Sequence, residues 1–406
     1  MKEVPFKAIR VTDSVWWVGA IDRTIRDFHG YGTPSGTTYN AYLIMADKVT
    51  LIDTVKKPFM DELLSRISSI VDPSRIDYIV SNHAEMDHSG SLPAVISRVN
   101  PEKVFASTMG VETLKAQLSF DRELTAVKSG ETLNLGNKTL SFLETRMIHW
   151  PDSMFTYMPD DKILFSQDAF GMHLASYERF DDEIPKDTLE WEAAKYYGNI
   201  VMPFSPLVLK LLEKVASMNI EIDIIAPDHG PIWRKQLGWI LGLYKRWALQ
   251  EPTTRAVVLF DSMWGSTTMM ARSIGEGIKA GGASPRLIPM GSSDRAEVAT
   301  EVLKSGALIA GSPTMNREVF PTMADVMTYL RGLKPANLIG AAFGSYGWSG
   351  EGHRYMKDML EAMNVEIVSD THAVKFVPNR ENLNACFEFG MDVAKQLLER
   401  CNECNR

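Results

Sequence analysis

The chain has 406 residues, enough for two or three domains, and its 45% hydrophobic and 23% charged content is globular composition, which excludes a disordered or fibrous chain. Acidic residues exceed basic ones by 51 to 43, a formal net charge of -8 with no long run of one sign, which disfavours nucleic-acid binding through phosphate neutralisation. The three cysteines, Cys386, Cys401 and Cys404, crowd near one end, so no disulfide framework holds the body together and a reducing, cytoplasmic setting is expected. Residues 1–7 lack the apolar stretch of a signal peptide, and no apolar run reaches the ~18 residues of a membrane span.

In the first part of the chain, short apolar runs read as strands: Tyr42-Leu43-Ile44-Met45, Asp77-Tyr78-Ile79-Val80, Leu140-Ser141-Phe142-Leu143, Lys162-Ile163-Leu164-Phe165 and Ile222-Asp223-Ile224-Ile225. Helical patterns over residues 58–70 and 206–217 fall between some of them, which predicts sheets layered with helices. The strand through Val80 runs into Asn82-His83-Ala84-Glu85-Met86-Asp87-His88-Ser89-Gly90. In an extended segment residues 83, 85 and 87 point to one side, so an imidazole and two carboxylates converge. More ligand types follow at later strand ends: His149, Asp168, and His229 in Ala226-Pro227-Asp228-His229-Gly230-Pro231. Six of the eight histidines lie before residue 250, all in loop-like contexts. Imidazoles combined with three carboxylates, Glu85, Asp87 and Asp168, suit iron or manganese, with zinc as the alternative, and one bridging Asp can hold two cations close together.

A polar, proline-containing stretch, Gln250-Glu251-Pro252-Thr253-Thr254-Arg255, marks a boundary between domains 1–251 and 252–406. Beyond it, strands at Ala256–Phe260, Arg286–Ile288, Ala307–Ala310 and Leu338–Phe343 alternate with helices, a βαβ series the size of one doubly wound domain. The first strand enters Ser262, Met263, Trp264, Gly265, Ser266 and Thr267 and then a helix, where hydroxyls and backbone N–H groups form an anion site. The loop is neither a P-loop nor a Rossmann glycine turn, and it offers no lysine for a β/γ-phosphate; a terminal monophosphate, as on FMN, fits it. Two further strand-end loops, Ser312-Pro313-Thr314-Met315-Asn316 and Ser345-Tyr346-Gly347-Trp348-Ser349-Gly350, supply close backbone approach and aromatic rings for a flat ligand.

The pattern H-x-E-x-D-H with later His, Asp and His resembles the metallo-β-lactamase-like fold, whose hydrolases usually carry a second histidine where this chain has Glu85. That replacement, with three loops similar to those of short-chain flavodoxins, resembles the flavodiiron proteins over residues 8 to 400. The resemblance implies an α/β chain with an N-terminal metallo-β-lactamase-like αββα sandwich and a C-terminal flavodoxin-like doubly wound parallel sheet. It implies one iron held by His83, Glu85 and His149, a second by Asp87, His88 and His229, and Asp168 bridging, with His29, His173 and Tyr197 as substrate-pocket residues. It further implies that electrons from an external donor (a rubredoxin-like protein, a flavin reductase or a reduced deazaflavin) pass through FMN to a non-haem diiron centre that reduces dioxygen or nitric oxide. The implied assembly is a head-to-tail homodimer or a dimer of dimers. A dinuclear metal hydrolase with an accessory flavodoxin-like domain is the alternative enzyme, and an electron carrier or gas sensor without turnover is the alternative outside catalysis. Cys401-Asn402-Glu403-Cys404 departs from the plain pattern; half of a metal knuckle without its second half, it reads as an exposed, frayed thiol pair.

Overall fold

Alternating residues of the strands Tyr42–Ile44, Thr50–Ile52, Tyr78–Ser81 and Lys103–Ser107 serve two apolar cores, because successive side chains of a strand leave opposite faces of the sheet. Leu43, Leu51, Ile79 and Val104 pack with Leu63, Ile67, Val95 and Ile96 of neighbouring helices. Tyr42, Ile44, Ile52, Val80 and Phe105 face Phe142, Met154, Phe165 and Ala226 of a second sheet. The structure, a computed structural model, describes residues 6–120 and 122–404. The start of the segment read as lacking a signal peptide, residues 1–5, lies outside them. Among the described residues no helix is long and apolar enough to cross a membrane.

The chain divides into two compact units, one holding the residues up to His29, Thr33–Tyr196 and Pro206–Lys245, the other Gly30–Gly32, Tyr197–Ser205 and the chain from Arg246 onward. The first unit is built on a seven-stranded and a five-stranded sheet. The larger sheet runs Ile9–Arg10, Val15–Trp17, Tyr42–Ile44, Thr50–Ile52, Tyr78–Ser81, Lys103–Ser107, Thr125–Val127, with parallel pairing from Thr50–Ile52 onward. The smaller runs Thr132–Asn134, Thr139–Glu144, Met154–Met158, Ile163–Gln167, Ile224–Pro227. The shortest strands, such as Ile9–Arg10 and the pair Ala20–Asp22 and Thr37–Tyr39, carry too few residues for an alternation signal in sequence.

The second unit is a parallel sheet ordered Ser284–Pro289, Arg255–Phe260, Ala307–Pro313, Ile339–Tyr346, Glu366–Ile367, with His372–Lys375 also pairing Ile339–Tyr346. The first strand of the series thus lies between the second and the third. Ligands of such sheets bind where the strand order reverses, outside the carboxyl ends. Helices Ser266–Ala280 and Arg380–Cys404 cover one face. Here the sequence expectation needs correction: Cys401 is buried in that core beside Leu397 and Ala394, because the last helix continues through it, so it is not an exposed thiol. The side chain of Cys404 lies outside the described residues.

Candidate metal and flavin sites

The strand Tyr78–Ser81 ends at Asn82, whose N–H and side-chain amide donate to Asp53 at 2.7 and 2.9 Å while its Oδ1 accepts from Thr156 at 2.6 Å. This fully paired amide aims the next residues inward. His83 and Glu85 follow in extended chain, but a short helix, Met86–Ser89, begins at once, stapled by Ser89 Oγ donating to Ala84 O at 2.7 Å. Asp87 and His88 are therefore placed by a helical turn, not by the strand-like alternation expected from the sequence. All four side chains are buried. His149 comes from the loop after Thr139–Glu144, Asp168 from the end of Ile163–Gln167 and His229 from the end of Ile224–Pro227.

These seven side chains meet in two groups that share one carboxylate. Asp168 Oδ2 lies 3.3 Å from His83 Nε2 and 3.1 Å from His149 Nε2, and Glu85 Oε2 lies 3.3 and 3.2 Å from the same two nitrogens. Asp168 Oδ1 lies 3.2 Å from His88 Nε2 and 3.4 Å from His229 Nε2, and Asp87 oxygens lie 3.4 and 3.2 Å from those two. Every imidazole presents Nε2, and each oxygen of Asp168 serves a different group. Donor atoms about 2.1 Å from one cation stand about 3.0–3.4 Å apart, so these spacings are those of coordination shells.

The donor set passes a second test. Asp87 Oδ1 and Oδ2, both ring nitrogens of His88 and Asp168 Oδ1 are buried without a hydrogen-bond partner, an arrangement too costly to keep without another group to satisfy it. Burial favours the neutral forms throughout, raising carboxyls and lowering imidazoles, yet mutual hydrogen bonds and charge outweigh it. Glu85 is held far below the usual carboxylate range by His149, His29 and His83, and Asp168 likewise by His88, His149 and His83. Against the same burial, His83, His149 and His229 are raised and His88 is raised to about 9 by the facing carboxylates. Divalent cations would take the place of those protons.

Outer partners fix the imidazoles. His83 Nδ1 donates to Asp152 Oδ2 at 3.0 Å, and the same oxygen accepts Ala84 N–H at 2.6 Å. His229 Nδ1 donates to the Thr38 carbonyl at 2.5 Å. Sequence reading missed Asp152, a lone Asp in a Trp-Pro-Asp-Ser turn with no spacing to mark it.

Of the expected pocket residues, His29 reaches Glu85 Oε1 with Nε2 at 2.8 Å and is otherwise largely exposed, its side chain 71% accessible. His173 is buried, its ring 4.7 Å from those of both Phe28 and His229, and burial together with His229 keeps it neutral, far below its usual pKa. Tyr197 is placed differently: its phenol meets Ser205 Oγ at 3.0 Å and its ring packs on Trp247, while the tyrosine against His173 is Tyr196, 5.0 Å between centroids. The helix Lys186–Tyr196 passes into a π-helical turn, Tyr197–Val201; consecutive helical residues leave the axis about 100° apart, so the two tyrosines face different ways.

In the second unit, a cavity of about 750 Å³ opens at the strand ends, lined by Met263, Trp264, Ser266, Pro313, Thr314, Asn316, Ser345, Tyr346, Gly347, Trp348 and Ser349 of the expected loops. Arg317, Phe376 and Val377 line it as well; they stand outside the recognised loops and went unread. The other loop residues shape the walls. Ser262 Oγ accepts Gly265 N–H at 3.0 Å, Gly265 has φ +87° at the helix start, and Thr267 and Ser345 hydroxyls meet at 2.9 Å. Ser312 Oγ accepts Phe320 N–H, Met315 pairs with Glu318, and Gly350 lies under the Tyr346 ring. Trp264 and Trp348 are 95% and 91% exposed, an apolar display that a soluble domain keeps for a ligand or partner. A flat aromatic ring between them, with its phosphate at the lysine-free N-terminus of helix Ser266–Ala280, fits the cavity.

Residues 37–230 match the family described as ODP family beta lactamase, and residues 258–390 match flavodoxin. The chain is 42% identical over 395 residues to a protein named nitric oxide reductase from Moorella thermoacetica, covering 96% of this chain and 99% of that one. Among solved structures, rubredoxin oxygen:oxidoreductase from the anaerobe Desulfovibrio gigas superposes with TM-score 0.95 at 41% identity, covering 97% of this chain and 99% of that one. The flavodiiron protein of Giardia intestinalis gives TM-score 0.95 at 34% identity over 98% of both chains. The chain belongs to the flavodiiron proteins. Its first unit is metallo-β-lactamase-like and its second flavodoxin-like. As a member of this family it is an oxidoreductase whose cofactors are FMN and a non-haem diiron centre, and the hydrolase alternative is not favoured.

Proposed function

We propose that this flavodiiron protein uses electrons from an external donor, by way of FMN and two irons, to reduce dioxygen to water or nitric oxide to nitrous oxide. The observation that carries the reading is the split role of Asp168, with Oδ2 facing His83 and His149 and Oδ1 facing His88 and His229. In this reading His83, Glu85 and His149 would hold one iron and Asp87, His88 and His229 the other, with Asp168 shared between the two groups. When bound, FMN and the iron pair would supply the electron-transfer chemistry that reduces a diatomic gas.

The chain's own residues do the rest. Glu85, Asp87 and Asp168 offset most of the charge of two divalent cations, which favours oxygen-loving metals over the softer zinc sites rich in thiolate. Asp152 and the Thr38 carbonyl hold His83 and His229 with Nε2 unprotonated toward the metals. His29, bonded to Glu85 and open to solvent, can pass a proton between water and the cluster, and Phe28 and Tyr196 pack on the buried His173. The fitting donors are a rubredoxin-like protein, a flavin reductase or a reduced deazaflavin, the working unit is a head-to-tail homodimer, and the scarcity of cysteine suits a reducing cytoplasm.

The test is metal and flavin analysis of the purified protein, then anaerobic reduction and separate exposure to dioxygen and nitric oxide. Two irons and one FMN per chain, with catalytic consumption of at least one gas, are expected. Stoichiometric zinc without iron in cells grown with ample iron would return the hydrolase to favour, and binding without turnover would make the protein a sensor.

A further inference from the structure

Of the side chains lining the flavin cavity, one carries a charge, the guanidinium of Arg317. The carboxylates that flank the three loops in sequence, Asp261, Glu318 and Glu351, stand outside that lining, and among the described residues Arg317 makes no ion pair. A small turn fixes where the arginine sits. Met315 and Glu318 exchange both backbone hydrogen bonds, at 3.0 and 2.9 Å, and the two residues between them, Asn316 and Arg317, have φ of +54° and +63°. A two-residue turn with both central φ positive favours Asn followed by Gly, because glycine enters that region without a steric penalty. The chain meets the first preference and departs from the second, carrying an arginine where glycine would be unstrained. Such outliers persist where the side chain is used, and this one lines the cavity.

Depth separates the two ends of the ligand. Thr267 and Ser345, whose hydroxyls meet, are buried at the start of helix Ser266–Ala280, where the phosphate fits, whereas Arg317, Trp264 and Trp348 are exposed. The strand Ala307–Pro313, which leads to Arg317, lies between the strands that lead to Trp264 and to Trp348, so the arginine stands on the loop between the two tryptophans that would enclose the ring. We propose that Arg317 serves the flavin ring rather than the phosphate, favouring the negatively charged reduced ring over the neutral oxidised one and so raising the reduction potential of bound FMN. The guanidinium stays protonated throughout and acts as a fixed charge. The couple balances as two electrons from a reductant and one proton from water added to the neutral ring, giving a singly negative one; Arg317 itself is neither oxidised nor deprotonated. The inference rests on FMN as the cofactor and not on which gas is reduced.

The test uses the full-length protein loaded with FMN, with zinc in place of iron so that the flavin alone is reduced. Two quantities are read: the FMN midpoint potential, by anaerobic dithionite titration against reference dyes, and the dissociation constant of oxidised FMN, by fluorescence. Arg317→Gln is expected to weaken reduced FMN about tenfold more than oxidised FMN, a fall of about 30 mV in the two-electron potential. Arg317→Lys, which keeps the charge, should recover most of that shift, and about 1 M salt should shrink the difference between wild type and Arg317→Gln, since an exposed charge is screened. Arg317→Gly suits the turn, so it should melt no lower than wild type and still show the lowered potential; this variant decides if the glutamine protein folds poorly. Equal weakening of oxidised and reduced FMN, with riboflavin affinity unaltered, would place the arginine on the phosphate and overturn the proposal. An unchanged potential in both Arg317→Gln and Arg317→Gly would overturn it as well and leave Arg317 a solvated surface charge. A wild type that takes up no FMN would overturn the cofactor assignment and the proposal with it, a result distinct from the other two.

Discussion

Asp152 Oδ2 accepts the Nδ1–H of His83 at 3.0 Å and the backbone N–H of the adjacent Ala84 at 2.6 Å, so one buried carboxylate orients both the first imidazole of the metal cluster and the chain that carries it. A carboxylate behind a histidine fixes its tautomer and raises its basicity as a ligand. Asp152→Asn keeps the shape but lets the amide present N–H to His83. The expected result is a loss of ~10–100-fold in iron affinity, measured by chelator competition, with unchanged circular dichroism and unchanged FMN content. Iron retention equal to wild type would remove Asp152 from any part in the metal site.

Two helices of the flavodoxin-like unit meet backbone to backbone. A Cβ built on Gly277 would fall 1.9 Å from Phe387 O, and one on Gly390 would fall 2.1 Å from Ile274 O, so each helix uses a glycine where the other's main chain passes. Gly277→Ala must push the helices Ser266–Ala280 and Arg380–Cys404 apart, an overpacking cost of roughly 1–3 kcal/mol. Thermal unfolding of the FMN-loaded protein should fall by about 2–4 °C for each kcal/mol. A melting temperature equal to wild type would mean that the helices separate without cost.

How much of this was legible beforehand depends on how local the signal is. Four candidate ligands between His83 and His88 announce themselves because spacing is a property of sequence, and the flavin loops do so because strand, small residues and helix follow one another. His149, Asp168 and His229 were found at strand ends, where the topology brings loops together. Asp152 is a single residue whose partners His83 and Ala84 lie tens of positions away, and no local pattern marks it. Tyr196 and Tyr197 are neighbours of one kind, and which of them meets His173 depends on the rotation of the helix in the fold, which no local pattern shows. Cys401 looked frayed because two cysteines near a chain end resemble a tail, whereas the amphipathic pattern of Val393, Ala394, Leu397 and Cys401 carries the core through to it.

Trp348 lies on the third flavin loop, its ring almost wholly exposed at the wall of the cavity. Its stacking on a flavin is worth about 0.5–1.5 kcal/mol, or roughly 2–13-fold in affinity. Trp348→Ala is therefore expected to raise the FMN dissociation constant by that factor, read from flavin fluorescence on titration of the flavin-free protein, while iron per chain stays constant. An unchanged constant would show that the ring serves a partner surface instead.

The homodimer proposed above can be tested by complementation, because the two cofactor sites can be disabled separately. Asp168→Ala removes the carboxylate that both metal groups share, so this variant should lose iron and gas reduction yet keep FMN; Trp348→Ala should weaken FMN and keep iron. In the proposed two-fold pair the flavin of each chain serves the irons of its partner. Mixed under conditions that exchange subunits, the two variants form heterodimers. If electrons cross between chains, the intact flavin of the Asp168→Ala chain serves the intact irons of the Trp348→Ala chain, and the second pairing has both members disabled. Activity should then rise above either parent, toward half that of wild type per heterodimer. If electrons stay within a chain, each chain holds one intact and one disabled site and mixing gains nothing. Verified subunit exchange with no gain, in parents each shown to be impaired, would sink the head-to-tail arrangement.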